Sequence, residues 1–210
     1  MGDPIFDAYY ASNIQFQASA PIQERKMQIA GISLLQKIGQ SILVSHSQGG
    51  LMPWVITDAV PHLVKAIISI EPTGPPFREA IFSSTPSRPY GLTNIPLTYS
   101  PAPTNASMPL ETEVVENDKE GLETCVLQKE PARQLVNFKG VKVLIVTSQA
   151  SYHAPYDGCT VRFLKQARVD VDWLRLEDVG VLGNGHLCFM ERNSDKIAGF
   201  LEERIRKMVG

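Results

Sequence analysis

The sequence predicts an α/β fold in which a parallel sheet is flanked by helices. Three observations carry this. Short apolar, β-branched runs recur near residues 41–45, 65–71, 141–147 and 171–176, and helix-period segments lie between them. These runs show little polar alternation, as expected of strands buried on both faces. The chain has 210 residues, 43% hydrophobic and 20% charged, enough to bury one core of useful size.

The elements follow in order. Residues 21–38 read as a helix: Ile32, Leu35 and Ile38 recur at three-residue spacing, and Gly39 stands where a helix stops. Ser41-Ile42-Leu43-Val44-Ser45 reads as a buried strand, residues 49–59 as a helix with Pro53 in its first turns, and 65–71 as the next strand. The composition then shifts. Residues 72–110 are crowded with proline, and 111–138 turn acidic and weakly helical. Long excursions inside α/β chains are usually functional or disordered. We read 72–139 as an inserted lid or cap on a core formed by 1–71 and 140–210. Regular structure resumes at Val141–Thr147, followed by a helix at 157–168 and a strand at Val171–Leu176. A loop with Gly180, Gly183 and Gly185 leads to a last helix at 194–208, where Ile197, Leu201 and Ile205 repeat every four residues.

Composition excludes several classes. Twenty basic residues against 22 acidic ones leave no broad basic face, so no nucleic-acid partner is expected. Strictly apolar runs are far shorter than the roughly 20 residues a membrane helix needs, so no membrane partner is expected either. The first twenty residues carry Asp3 and Asp7 and no apolar stretch of the signal-peptide kind. Cys125, Cys159 and Cys188 are odd in number and widely spaced, matching neither a disulfide framework nor a zinc pattern. Together these predict a reducing, cytoplasmic setting, in which the sequon Asn105-Ala106-Ser107 carries no meaning. No phosphate loop, dinucleotide motif or metal cluster is present in the sequence, so neither a cofactor nor a metal is expected.

The chemistry concentrates in Ser45-His46-Ser47-Gln48-Gly49-Gly50, between a buried strand and a helix. A nucleophile elbow requires that context, with small residues two before and two after the nucleophile. Ser45 and Gly49 fill those positions. Ser47 would stand exposed above the sheet, and the Gln48 N–H would point at a developing oxyanion. An ordinary capping serine is the plainer alternative. A base is needed, and His186 lies in Gly183-Asn184-Gly185-His186, a loop after the last strand, where glycines let the imidazole turn back over the sheet edge. His46 beside the nucleophile and His153 in a later strand-end loop are candidates for lining the pocket. His62 reads as a surface residue. Two carboxylates could orient the base. Glu71 ends the strand after the elbow helix, and a strand is an unfavoured place for Glu. Asp157 follows the next strand but also starts a helix, where it could serve as a first-turn carboxylate. Glu71 is preferred and Asp157 is the alternative acid.

Four segments carry a family resemblance: His46-Ser47-Gln48-Gly49-Gly50, Ile70-Glu71-Pro72-Thr73-Gly74-Pro75-Pro76-Phe77, Tyr152-His153-Ala154-Pro155-Tyr156-Asp157, and Gly183-Asn184-Gly185-His186. In this order they resemble the serine esterases of the α/β-hydrolase fold, in particular a bacterial and fungal group with an H-S-Q-G-G elbow and Glu as triad acid. The resemblance implies Ser47 as nucleophile, His186 as base and Glu71 as acid, acting on a small-molecule carboxylic ester through an acyl-enzyme. In that fold the nucleophile follows the fifth of eight strands, whereas here it follows the first recognisable one. An N-terminally truncated α/β-hydrolase is therefore expected, without the early loop that supplies a second oxyanion N–H. The strand at 41–45 becomes an apolar edge that invites pairing with another copy, unless residues 1–20 cover it. The alternative function is that of a catalytically inactive hydrolase-like binding module. Lyases and acyltransferases share the scaffold and keep a third possibility open.

Overall fold

The computed structural model describes residues 2–15, 17–105, 109–117 and 119–210. Helix α1 (Pro4–Ser12) starts at Asp3, whose carboxylate accepts the Ile5 and Phe6 N–H groups at 2.8 and 3.1 Å. It buries no residue: Ile5, Phe6, Tyr9 and Tyr10 all stand exposed. Helix α2 (Ala20–Ile38) is capped by Ser19 and ends at Gly39, whose φ of 87° is a backbone region that favours glycine.

Strand β1 (Ser41–His46) leads through a 3-10 turn, Ser47–Leu51, into α3 (Met52–Ala59), and β2 (Val64–Ile70) follows. The excursion holds two small antiparallel pairs. β3 (Tyr99–Ser100) joins β6 (Gln134–Leu135), and β4 (Thr112–Val115) joins β5 (Cys125–Gln128). β7 (Lys142–Thr147), α4 (Asp157–Gln166), β8 (Asp170–Arg175) and α5 (Ser194–Val209) complete the chain. The weakly helical reading of 111–138 is corrected. Val114-Val115 and Val126-Leu127 lie in facing strands, where β-branched pairs are favoured, and among the described residues of the stretch only Val136–Phe138 forms a helical turn.

The main sheet is parallel, in the order β1-β2-β7-β8. Alternation along its strands splits the core. Ile67, Val143 and Ile145 face α2, α3 and α4, while Ile68, Ile70, Leu144 and Val146 face α5. β1 is an edge strand, and its Val44 is 60% exposed. The register brings the carboxyl ends level: His46 pairs with Ile70, Ile70 with Val146, and Val146 with Leu174. The residues that follow these strands thus emerge on one sheet edge, where open α/β sheets bind ligands.

The excursion is fastened to the core by polar anchors. Glu24 on α2, fully buried, accepts the Asn94 and Ile95 N–H groups at 2.8 and 3.0 Å. Within the excursion itself, Arg88 is 2% exposed and donates to Glu79, to the Pro75 carbonyl and to the Arg78 carbonyl. Cys125 on β5 and Cys159 on α4 are joined as a disulfide, and Cys188 is free and buried. This corrects the cysteine reading. An odd count concealed one pair, 34 residues apart, that only the packing of β5 on α4 brings together.

Candidate active site

Ser47 follows β1 directly, with a φ of 54°. A non-glycine residue in that region is strained, as a sharp strand-to-helix turn demands. The turn is held by Thr73, whose N–H donates to the Ser47 carbonyl at 3.0 Å. Close packing falls on Gly50 rather than Gly49. A Cβ added at Gly50 would lie 2.5 Å from Pro72 Cβ, whereas one at Gly49 meets nothing within 4 Å. The small residue on the strand side, Ser45, shares a hydrogen bond with Ser69 on β2 at 3.1 Å.

Glu71 lies one residue past β2, also at positive φ (45°) and completely buried. Its Oε1 accepts the Ser148 N–H at 2.8 Å, and its Oε2 accepts the Ser151 hydroxyl at 2.6 Å. His186 Nδ1 is 2.6 Å from Glu71 Oε2, and His186 Nε2 is 2.9 Å from Ser47 Oγ. The three residues therefore form one hydrogen-bonded line from buried carboxylate to hydroxyl. Such a carboxylate sets the imidazole tautomer with its proton on Nδ1 and leaves Nε2 free to accept the serine proton. The loop carrying His186 is tied down by Glu191, which accepts the Gly185 N–H at 2.8 Å and the Asn184 amide at 2.6 Å.

Asp157 does not reach His186. It is fully buried, with Oδ1 3.1 Å from His153 Nδ1 and Oδ2 accepting the Thr147 hydroxyl at 2.7 Å. Burial raises its carboxyl pKa, opposed by the His153 hydrogen bond. This second carboxylate–imidazole pair lies against the first: the His153 and His186 rings stack at 4.7 Å, 3° from parallel. His46 packs beside His186 at 4.5 Å, and its Nε2 is 2.9 Å from the His186 carbonyl oxygen. Burial pushes the His46 imidazole below its ordinary value, opposed by its hydrogen bond to the His186 carbonyl. Gln48 is the second residue of the 3-10 turn, whose first N–H groups lie outside the helical ladder; its side chain reaches Gln23 at 3.4 Å. His62 is exposed in a turn before β2.

Sequence reading passed over Tyr152. Its hydroxyl stands 3.4 Å from His186 Nε2, the same nitrogen that Ser47 Oγ approaches at 2.9 Å. Tyr152 opens one of the segments that carry the resemblance, but nothing in the linear string gave it a role of its own. Among the described residues, Glu71, His153 and His186 bring potential metal-ligand atoms within 4.8 Å of one another. One of those contacts is the Glu71–His186 hydrogen bond itself. Among the described residues, no helix is long and apolar enough to cross a membrane. The Ala106 and Ser107 positions of the sequon lie outside the described residues.

No family model matches the sequence. A protein of Fungal sp. (strain ATCC 74256) named "Probable secreted lipase phiG" is 41% identical over 207 residues, covering 99% of this chain and 57% of that protein. The chain thus spans little more than half the length of that relative. The solved structure described as "The Atomic Resolution Structure of a Novel Bacterial Esterase" is similar at a TM-score of 0.51 and 17% identity, covering 85% of this chain and 42% of that one. The fold is that of an α/β-hydrolase: the parallel sheet, the elbow at the end of β1 and this likeness agree. The expectation of a cytoplasmic setting is overturned, because the fungal relative is named as secreted. The Cys125–Cys159 disulfide points the same way, since reducing compartments keep such thiols apart.

Proposed function

We propose that the protein is a secreted serine hydrolase of carboxylic esters, with Ser47 as nucleophile, His186 as base and Glu71 as the acid that orients it. The observation that carries this is the unbroken line Glu71 Oε2, His186 Nδ1 and Nε2, Ser47 Oγ, at 2.6 and 2.9 Å. His186 Nε2 takes the Ser47 proton as Oγ attacks the ester carbonyl. The carbonyl electron pair moves onto oxygen, where the Gln48 N–H donates to it. The intermediate collapses, the bond to the leaving oxygen breaks, and His186 returns the proton to the departing alcohol. Water then repeats the sequence on the acyl-enzyme and frees the acid. Glu71 holds the imidazolium without taking its proton.

The names of the fungal relative and the bacterial neighbour, a lipase and an esterase, support the ester as substrate. A Glu following the strand after an H-S-Q-G-G elbow supports assignment to the group with a glutamate acid. The excursion at 72–139 serves as the cap that shapes the acyl and alcohol sites. Phe82, at its exposed tip, already rests edge-on against Tyr152 at 5.0 Å.

The test is labelling with a fluorophosphonate probe, followed by an ester panel. The wild type is expected to label and turn over, and Ser47→Ala to do neither. Activity retained in Ser47→Ala would sink the reading. Folded protein that never labels would favour the inactive binding module instead.

A further inference from the structure

We propose that Tyr152 is a catalytic residue whose hydroxyl donates a hydrogen bond to the leaving-group oxygen of the ester. The inference rests on the reading of Ser47 and His186 as nucleophile and base. When the intermediate collapses, the leaving oxygen must satisfy two constraints. It is attached to the carbon bonded to Ser47 Oγ, and it must accept the proton from His186 Nε2 at hydrogen-bond distance. The Tyr152 hydroxyl borders that same small volume, 3.4 Å from His186 Nε2, the nitrogen that Ser47 Oγ approaches at 2.9 Å.

The ring has little freedom to leave this position. It packs on His153 at 4.5 Å, on His186 at 4.8 Å and on Phe82 at 5.0 Å. Burial, with the Glu71 and Asp157 carboxylates nearby, pushes the phenol above its ordinary range, so it keeps its proton and remains a donor. The donor transfers no proton. The Ser47 proton travels to His186 and then to the alcohol, while the Tyr152 O–H stabilises the negative charge that grows on the leaving oxygen as its bond to carbon breaks. In deacylation the attacking water occupies the same place, so the same hydroxyl orients it.

A leaving-group donor matters most where the leaving oxygen is most basic. Tyr152→Phe keeps the ring and its packing and removes the donor. We expect kcat/KM, which reports acylation, to fall about tenfold or more for alkyl esters, the size of one lost hydrogen bond. For p-nitrophenyl esters of the same acid, whose leaving oxygen needs little help, the fall should stay within about two- to threefold. Equal losses on both classes would overturn the assignment, because a donor to the carbonyl oxygen acts on both alike. No loss on either would also overturn it. Site-specific replacement of Tyr152 by 3-fluorotyrosine covers the case in which Tyr152→Phe does not fold. A more acidic donor should raise the alkyl-to-aryl rate ratio, and an unchanged ratio rejects the proposal. Fluorophosphonate labelling of the wild type and its loss in Ser47→Ala separate failure here from failure of the hydrolase reading.

Discussion

Two buried carboxylates sit within a few residues of the same sheet edge, and only one meets the base. Glu71 is in line with His186, and Asp157 is engaged by His153 and Thr147. Glu71→Gln should therefore lower kcat by about 10³–10⁴, because an amide N–H facing Nδ1 favours the wrong tautomer. Asp157→Asn should cost less than about tenfold, since it acts on His186 only through a stacked ring. Steady-state kinetics on one ester decides, and equal losses would show that the two carboxylates work as one unit. His46 yields a pH prediction. Its folded pKa lies below the ordinary 6.5, so the unfolded chain binds a proton that the folded one refuses. Stability is then full above pH 6.5 and declines as the pH drops from there toward the lowered value. His46→Gln, which keeps a donor to the His186 carbonyl, should flatten that decline in denaturant titrations between about pH 7 and 5. At this scale the sequence was legible where chain order and local context suffice. Ser47 follows a strand, His186 sits in a glycine loop, and Glu71, expected at the end of a strand, lies one residue past β2. Tyr152 over Nε2 and the parallel stacking of His153 were not legible, because ring placement across the site depends on packing between distant segments.

The elements that carry the site are set by close approach at a few points. Gly50 has Pro72 Cβ and Cα 2.5 and 2.6 Å from where its own Cβ would stand. Gly50→Ala must therefore push the elbow away from the segment that carries Glu71. We expect a stability loss of about 1–3 kcal/mol from overpacking and a sharp drop in serine labelling. Gly49→Ala should be tolerated, as open space surrounds that site. Thermal unfolding with probe labelling distinguishes the two, and equal behaviour would mean that the elbow packs differently. Strand and helix positions in the core were readable because apolar periodicity reports burial directly. The sequence spacing at 49–59 missed that Ser47–Leu51 is a separate turn before α3, and the acidic 111–138 stretch hid β4 and β5. Short antiparallel pairs take their stability from partners far along the chain, and no local period announces them. α1 went unread because its apolar residues pack on nothing that would impose a period.

For the whole molecule, a shared apolar core makes the excursion and the sheet one body. Glu24 anchors the proline-rich half, Arg88 ties that half to itself, and the Cys125–Cys159 disulfide anchors the acidic half to α4. Closing a loop of that length is worth about 3–4 kcal/mol in the chain-entropy account. Replacing both cysteines by alanine should lower the melting temperature accordingly, and an unchanged melting curve would mean that the bond contributes nothing to the fold. Composition alone marks the proline-rich and acidic stretches, but not that their Leu92, Leu97, Leu127 and Phe138 join the same core as Ile67 and Val143. The fastenings were not legible either, since a buried Glu, a buried Arg and a disulfide look like surface charge and stray thiols in a linear string.

The disulfide has a further consequence, which concerns covalent continuity rather than stability. Lys139 and Gly140 are exposed at the seam between excursion and β7, within the span that the disulfide closes. A protease that cuts there divides the chain into one piece bearing Ser47 and Glu71 and another bearing His186. The bond between Cys125 and Cys159 keeps those pieces on one molecule. Trypsin-nicked protein should therefore run as a single species on a non-reducing gel and as two on a reducing one. The nucleophile and its base would remain tethered partners after the peptide chain between them had been severed.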